Sequence, residues 1–83
     1  MNNILITGGS GDIGAEIIKH LAFKENRIFF TYYRNYKNAN NLYKKIKKKS
    51  ENIHFYKVSN SNQREIVSTI KKIKKKYGSI DIL

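Results

Sequence analysis

The chain has 83 residues, a formal net charge of +11 and no cysteine. That length allows one small domain at most, and the lack of cysteine excludes disulfides and thiolate metal sites. Lysine greatly outnumbers arginine, the residue that dominates base-edge readout. We therefore attribute the charge to a lysine-, asparagine- and isoleucine-rich composition and expect no nucleic-acid partner.

Apolar runs in the chain are short, and none approaches the roughly 20 residues that a membrane span needs. His20 and His54 are far apart and lack the spacing of metal ligands. We expect a soluble cytoplasmic protein that binds neither membrane nor metal.

The first predicted elements are a strand over residues 4–6, a glycine-rich turn and a helix. Four of the five glycines lie between positions 8 and 14. The helix follows from apolar residues at helical spacing. Ile13, Ile17 and Leu21 are expected to face the core, with Ile18 and Ala22 on the flank.

Two further strand–helix units follow. Residues 27–33 are β-branched and aromatic and apolar on both faces, which is typical of a strand buried in a parallel sheet. A polar turn is predicted over residues 34–38, followed by a helix that ends at residues 50–52. The predicted apolar face of that helix comprises Ala39, Leu42 and Ile46.

The last predicted elements are a third strand over residues 53–58, N-cap candidates over 59–62, a third helix and a fourth strand from residue 80. The third helix has an apolar stripe of Ile66, Ile70, Ile73 and Tyr77, and Gly78 is its predicted C-cap. The alternating β-α-β-α-β-α-β pattern predicts a doubly wound parallel sheet of order 3-2-1-4.

The glycine window carries the predicted ligand site. Gly9, Gly11 and Gly14 spell G-x-G-x-x-G between a strand and a helix, the context in which that string indicates dinucleotide binding. Glycine permits close backbone approach, and the helix N-terminus attracts a pyrophosphate. The predicted contacts here are Gly8, Gly9, Ser10, Gly11, Asp12, Ile13 and Gly14.

The end of the second strand predicts the cofactor. An acidic residue at this point selects NAD through the ribose 2′-hydroxyl, whereas this chain reads Tyr32-Tyr33-Arg34-Asn35. Arg34 can bond the additional phosphate of NADP, with Tyr33 beside the adenosine. We therefore predict NADP(H) over NAD(H).

These motifs resemble the first part of a short-chain dehydrogenase/reductase. The resemblance rests on residues 7–14, on the pair Val58-Ser59 and on the ending Tyr-Gly-Ser-Ile-Asp-Ile-Leu at 77–83. It covers the whole chain, implies a Rossmann-type fold, and is strongest for the 3-oxoacyl-[acyl-carrier-protein] reductases. It also implies phosphate contacts with the backbone around Gly8, Ser10 and Ile13.

Two positions depart from the pattern of the single-domain members. Asp12 stands where their motif has its middle glycine, so the glycines alone fit the extended branch, which includes nucleotide-sugar epimerases. The seven-residue ending favours the single-domain reductases. Lys57 replaces an aspartate that recognises the adenine amino group in the family, which would leave that recognition to the Val58 backbone.

The resemblance places the catalytic serine and the Tyr-x-x-x-Lys pair beyond residue 83. We expect residues 1–83 to be one partial domain, truncated at the start of the fourth strand, that binds nucleotide weakly and has no turnover. Neither Tyr33…Lys37 nor Tyr43…Lys47 is assigned as catalytic. The implied partner is a small or carrier-protein-bound carbonyl substrate, with homo-oligomers only at full length. The alternative is a non-catalytic dinucleotide-binding regulatory module.

Overall fold

The computed structural model describes residues 1–23, 25–59 and 62–82. Strands and helices alternate along the chain. They are β1 (Asn2–Ile6), α1 (Asp12–Leu21), β2 (Asn26–Tyr32), α2 (Tyr36–Lys47), β3 (Ile53–Lys57), α3 (Gln63–Tyr77) and β4 (Asp81–Ile82). Four residues from the predicted polar break, N-cap segment and fourth strand lie outside the described ranges: Lys24, Asn60, Ser61 and Leu83.

The four strands form one parallel sheet in the order β3-β2-β1-β4. Strand β2 pairs residue by residue with β1 and with β3 without interruption, so that Phe30 lies opposite Ile6 on one side and Phe55 on the other. Both the predicted fold class and the strand order are confirmed. Because all strands are parallel, their carboxyl ends meet at one edge of the sheet, where the β1–α1 turn lies.

Helices cover both faces of the sheet, and each face has its own core. On one face, Ile18 of α1 and three residues of α2 pack against Ile6, Ile28, Phe30 and Ile53. On the other face, Ile73 of α3 packs against Leu5 and Phe29. Successive strand residues point to opposite faces, so the continuous apolar run in β2 supplies both cores.

The α1 helix departs from its predicted apolar pattern at one end, because Ile17 and Leu21 pack at the border of the core and Ile13 lies outside it. Ile18 is fully buried, whereas Ile13 is 79% exposed and Ile17 and Leu21 are half-buried. The prediction that Ile13 faces the core is therefore wrong. Two apolar stripes overlap on this helix, and periodicity could not choose between them. Packing on Gly9 selects the Ile18 side, because a Cβ at Gly9 would lie 2.8 Å from the Ile18 Cδ1.

Several predicted boundaries shift by one to three residues. The polar turn predicted over 34–38 is wrong in its second half, because α2 already begins at Tyr36. The Asn35 side chain accepts a hydrogen bond from the Asn38 N–H at 3.0 Å and thereby starts the helix early. β1 begins at Asn2, β2 and β3 each end one residue early, and β4 begins at Asp81.

The turn between α3 and β4 is fixed by a buried side chain from β1. Asn3 donates to the carbonyls of Tyr77 at 3.0 Å and Ser79 at 3.1 Å, and it accepts from Arg27 at 3.1 Å. Gly78 has φ +94° and closes the helix through its N–H bond to Lys74 at 2.9 Å, so the predicted C-cap is confirmed. The family-like ending therefore has a structural role.

His54 belongs to an aromatic cluster on the α3 face, near the amino ends of the strands. Its ring stacks on Phe29 at a centroid distance of 5.2 Å and contacts Tyr77 at 5.5 Å. Burial is the main reason that the pKa of His54 falls below 6.5; the charges of Arg27, Lys47 and Lys76 lower it further. In the part of the chain described here, no helix is long and apolar enough to span a membrane.

Candidate cofactor-binding site

The site begins at the sharp turn that connects β1 to α1. Gly8 has φ +67°, a backbone conformation that glycine adopts without the penalty of a Cβ. The end of β2 holds the turn in place. The Gly8 N–H donates to the Thr31 hydroxyl at 3.0 Å, and the Gly9 N–H donates to the Thr31 carbonyl at 3.1 Å. Thr31 thus fixes two successive amides of the glycine turn.

Two of the glycines are required by close packing. A Cβ at Gly9 would lie 2.6 Å from the Cβ of Phe30. A Cβ at Gly14 would lie 2.6 Å from the Cα of Gly9 and 2.7 Å from the Gly8 oxygen. These short distances show that the first turn of α1 packs directly against the loop that precedes it. Gly11 differs, because its Cβ would make only an ordinary contact at 3.5 Å.

The N-terminus of α1 has no side-chain cap. Its N-cap residue is Gly11, whereas the side chains of Asn35 and Asn62 cap α2 and α3. The first amides of a helix have no intrahelical acceptor, and the dipole adds positive potential there. The α1 terminus can therefore offer backbone donors to an anion at the carboxyl edge of the sheet.

A cavity of about 600 Å³ adjoins the glycine turn. Its lining comprises Gly8, Ser10, Gly11, Tyr32, Tyr33, Arg34 and Asn35. The Arg34 guanidinium lies 5.0 Å from the centroid of the Tyr33 ring, a cation–π arrangement. The structure thus brings together five predicted site residues, from the glycine turn and from the end of β2.

A second cavity of about 610 Å³ shares two residues with the first. It is lined by Tyr33, Arg34, Lys57, Ser59 and Glu65. Lys57 and Arg34 thus line one cavity. Val58 is buried, and its N–H donates to the Tyr32 carbonyl at 2.8 Å. This N–H is therefore engaged within the sheet, and recognition of the adenine amino group by the Val58 backbone would need the Val58 carbonyl as the acceptor.

The other predicted contacts lie apart from these two cavities. Gly9 is buried beneath the turn, and Gly14 is packed inside the first turn of α1. Asp12 and Ile13 line a separate concave surface on the outer side of α1. Asp12 occupies the first helical turn, where an acidic side chain suits the dipole. The structure therefore accommodates the non-glycine residue in this motif.

Five residues of the site were not predicted from the sequence: Thr31, which holds the turn, and Tyr32, Asn35, Ser59 and Glu65, which line the two cavities. Thr31 lies within the apolar run of β2 and was therefore read as a core residue. A hydroxyl residue near the end of a strand that adjoins a glycine turn could have indicated its role. Glu65 reaches the second cavity from α3, and only the tertiary structure places it there. Tyr43, from the Tyr43…Lys47 pair, packs on Phe55 at a centroid distance of 4.8 Å and so makes a core contact.

The parallel 3-2-1-4 sheet and the glycine turn before an uncapped helix define a Rossmann-type α/β domain. A family model described as short chain dehydrogenase matches residues 2–83. The chain therefore belongs to the short-chain dehydrogenase family. A search of curated proteins finds no match.

Solved structures of the family share the fold. A short-chain dehydrogenase from Oenococcus oeni is 23% identical with a TM-score of 0.82, and the match covers 96% of this chain and 37% of the Oenococcus chain. A short-chain dehydrogenase from Bacillus anthracis is 24% identical with a TM-score of 0.83, covering 98% and 34%. An actinorhodin polyketide ketoreductase with NADPH is 21% identical with a TM-score of 0.83, covering 98% and 31%. The chain thus spans roughly a third of their length.

Proposed function

We propose that residues 1–83 are the cofactor-binding part of an NADP(H)-dependent oxidoreductase that reduces a carbonyl by hydride transfer. The observation that carries this proposal is the position of Arg34. It lines both the cavity beside the glycine turn and the adjoining cavity at the end of β3. One guanidinium can therefore face the adenosine end of a dinucleotide whose phosphates lie at the turn.

The pyrophosphate would lie at the N-terminus of α1. The loop can supply donors, because Ser10 lines the cavity and the first helical amides lack a side-chain cap. Thr31 holds the turn through the Gly8 and Gly9 amides, so the cradle is formed in advance. Gly9 and Gly14 let the helix approach the strand closely enough to aim its N-terminus at this point.

The proposed preference for NADP(H) rests on two cations and on the absence of an acidic residue at the end of β2. Arg34 and Lys57 line the same cavity, and the end of β2 offers no carboxylate for a ribose 2′-hydroxyl. A 2′-phosphate would be attracted by both side chains, with Arg34 able to bond it in bidentate geometry. A ketoreductase of the same fold was solved with NADPH, which is consistent with this choice.

The proposed substrate is a carbonyl compound, including a 3-oxoacyl chain on an acyl carrier protein. Bound NADPH would supply the hydride. This chain's own residues would bind and orient the cofactor, and we assign none of them to proton transfer. The exposed lysines of α2 and α3 would complement an acidic carrier protein.

Titration of the purified chain with NADP⁺ and NAD⁺ tests the proposal. We expect tighter binding of NADP⁺, and about a tenfold loss of that affinity in Arg34→Ala, because a hydrogen bond to a charged group is removed. Affinity for NAD⁺ should change little. Arg64→Ala is the matched control, since Arg64 is an exposed arginine of α3 that lines neither of these two cavities. Tighter binding of NAD⁺, or unchanged NADP⁺ affinity in Arg34→Ala, would contradict the proposal.

A further inference from the structure

The cavity at the carboxyl ends of β2 and β3 contains a carboxylate that the proposed function does not use. Glu65, from the first turn of α3, lines it together with Arg34 and Lys57. The cavity shares Tyr33 and Arg34 with the one beside the glycine turn. On the proposed function, on which this inference rests, the adenosine end of the cofactor lies here.

Adenine presents an exocyclic amino group, which is a hydrogen-bond donor and needs an acceptor. Lysine and arginine side chains only donate, so Lys57 and Arg34 cannot meet this need. A carboxylate accepts hydrogen bonds and cannot donate them when ionised. Among the residues that line this cavity, Glu65 is the acidic one.

The Glu65 carboxylate is held in place by its surroundings. Its Oε2 accepts a hydrogen bond from the Ser59 N–H at 2.6 Å, and its own N–H donates to the Asn62 side chain at 3.3 Å. The carboxylate thereby joins the end of β3 to the first turn of α3. A carboxylate has about four lone-pair sites, so the bond from Ser59 leaves capacity for another donor.

We propose that Glu65 accepts a hydrogen bond from the adenine amino group and so selects adenine over bases that carry a carbonyl at that position. Glu65 belongs to the first turn of α3, the helix that follows the strand ending at Lys57. The arrangement separates two tasks within one cavity: the cations attract phosphate, and the carboxylate identifies the base.

The test compares NADP⁺ with its hypoxanthine analogue, in which a carbonyl oxygen replaces the amino group. We expect the chain to bind NADP⁺ about tenfold more tightly, equivalent to ~1.4 kcal/mol, because the analogue offers an acceptor to a carboxylate. In Glu65→Gln the ratio should approach one, since an amide can donate as well as accept. Glu65→Ala should lose the preference too.

Glu16→Gln is the matched control, because it removes an equal charge from an exposed site on α1 and should leave the ratio unchanged. Equal affinities in the unmodified chain, or a preference that persists in Glu65→Gln, would overturn the assignment while leaving the proposed function intact. Binding of neither nucleotide would overturn both. Equal affinities in the unmodified chain overturn the assignment without any variant, and Glu65→Gln and Glu65→Ala are two independent replacements, so the test remains if one of them fails to fold.

Discussion

Replacing Gly14 by alanine tests whether the glycine turn is built for close packing. The new Cβ would lie 2.6 Å from the Gly9 Cα, 2.7 Å from the Gly8 oxygen and 3.0 Å from the Gly9 carbonyl carbon. All three are backbone atoms, so no side-chain rotation can relieve the contacts. Either α1 moves away from the loop or the loop moves away from β2.

Two opposing terms set the size of the effect. Alanine favours a helix over glycine by about 1 kcal/mol. Overpacking costs about 1–3 kcal/mol, and backbone contacts below 3.0 Å place this site in the upper part of that range. We therefore expect Gly14→Ala to lower the free energy of unfolding by about 1–2 kcal/mol. NADP⁺ affinity should also fall, because the displaced atoms belong to the proposed phosphate cradle.

Urea unfolding followed by circular dichroism measures the stability term. Gly11→Ser is the control in the same motif, because a Cβ there makes only a 3.5 Å contact, φ is −74°, and serine is a good N-cap residue. We expect no loss of stability in that variant. Equal losses at positions 11 and 14, or a Gly14→Ala variant as stable as the unmodified chain, would refute the packing argument.

Three further predictions concern the contacts that support the site and the fold. Thr31→Val removes the buried hydroxyl that accepts from Gly8 and should cost about 1 kcal/mol of stability. Thr69→Val, which removes a hydroxyl that donates to the Glu65 carbonyl at an exposed turn of α3, should cost less, because water can reach that carbonyl. Equal losses in urea midpoint would contradict the role of Thr31. Asn3→Leu removes two bonds to the α3–β4 turn and should cost about 1–3 kcal/mol, so an unchanged midpoint would show that the turn holds without it. The pKa of His54 is below 6.5 in the folded chain, so the unfolded chain binds more protons and the free energy of unfolding should decrease as pH falls below about 6.5. His54→Gln should flatten that dependence, and an unchanged slope would contradict the reasoning.

Much of the fold followed from local patterns. The strand order, the buried faces of α2 and α3 and the Gly78 cap were predictable because each depends on periodicity, turn chemistry or the right-handed crossover rule. The face of α1 was not predictable in the same way. Its two apolar stripes are nearly equivalent in the sequence, and the choice depends on how closely α1 approaches Gly9.

The sequence alone identified the glycine turn between strand and helix, where we propose that a dinucleotide's phosphates lie, because such a turn is a local feature. It also determined that the adjoining strand ends in Arg34 and carries no acid. The tertiary structure decided which glycines are required by packing, that Thr31 braces the turn, and that Glu65 enters the cavity lined by Arg34 and Lys57. These depend on distances between segments that are far apart in the chain. Such distances are set by sheet pairing and helix packing, which no single stretch of sequence contains.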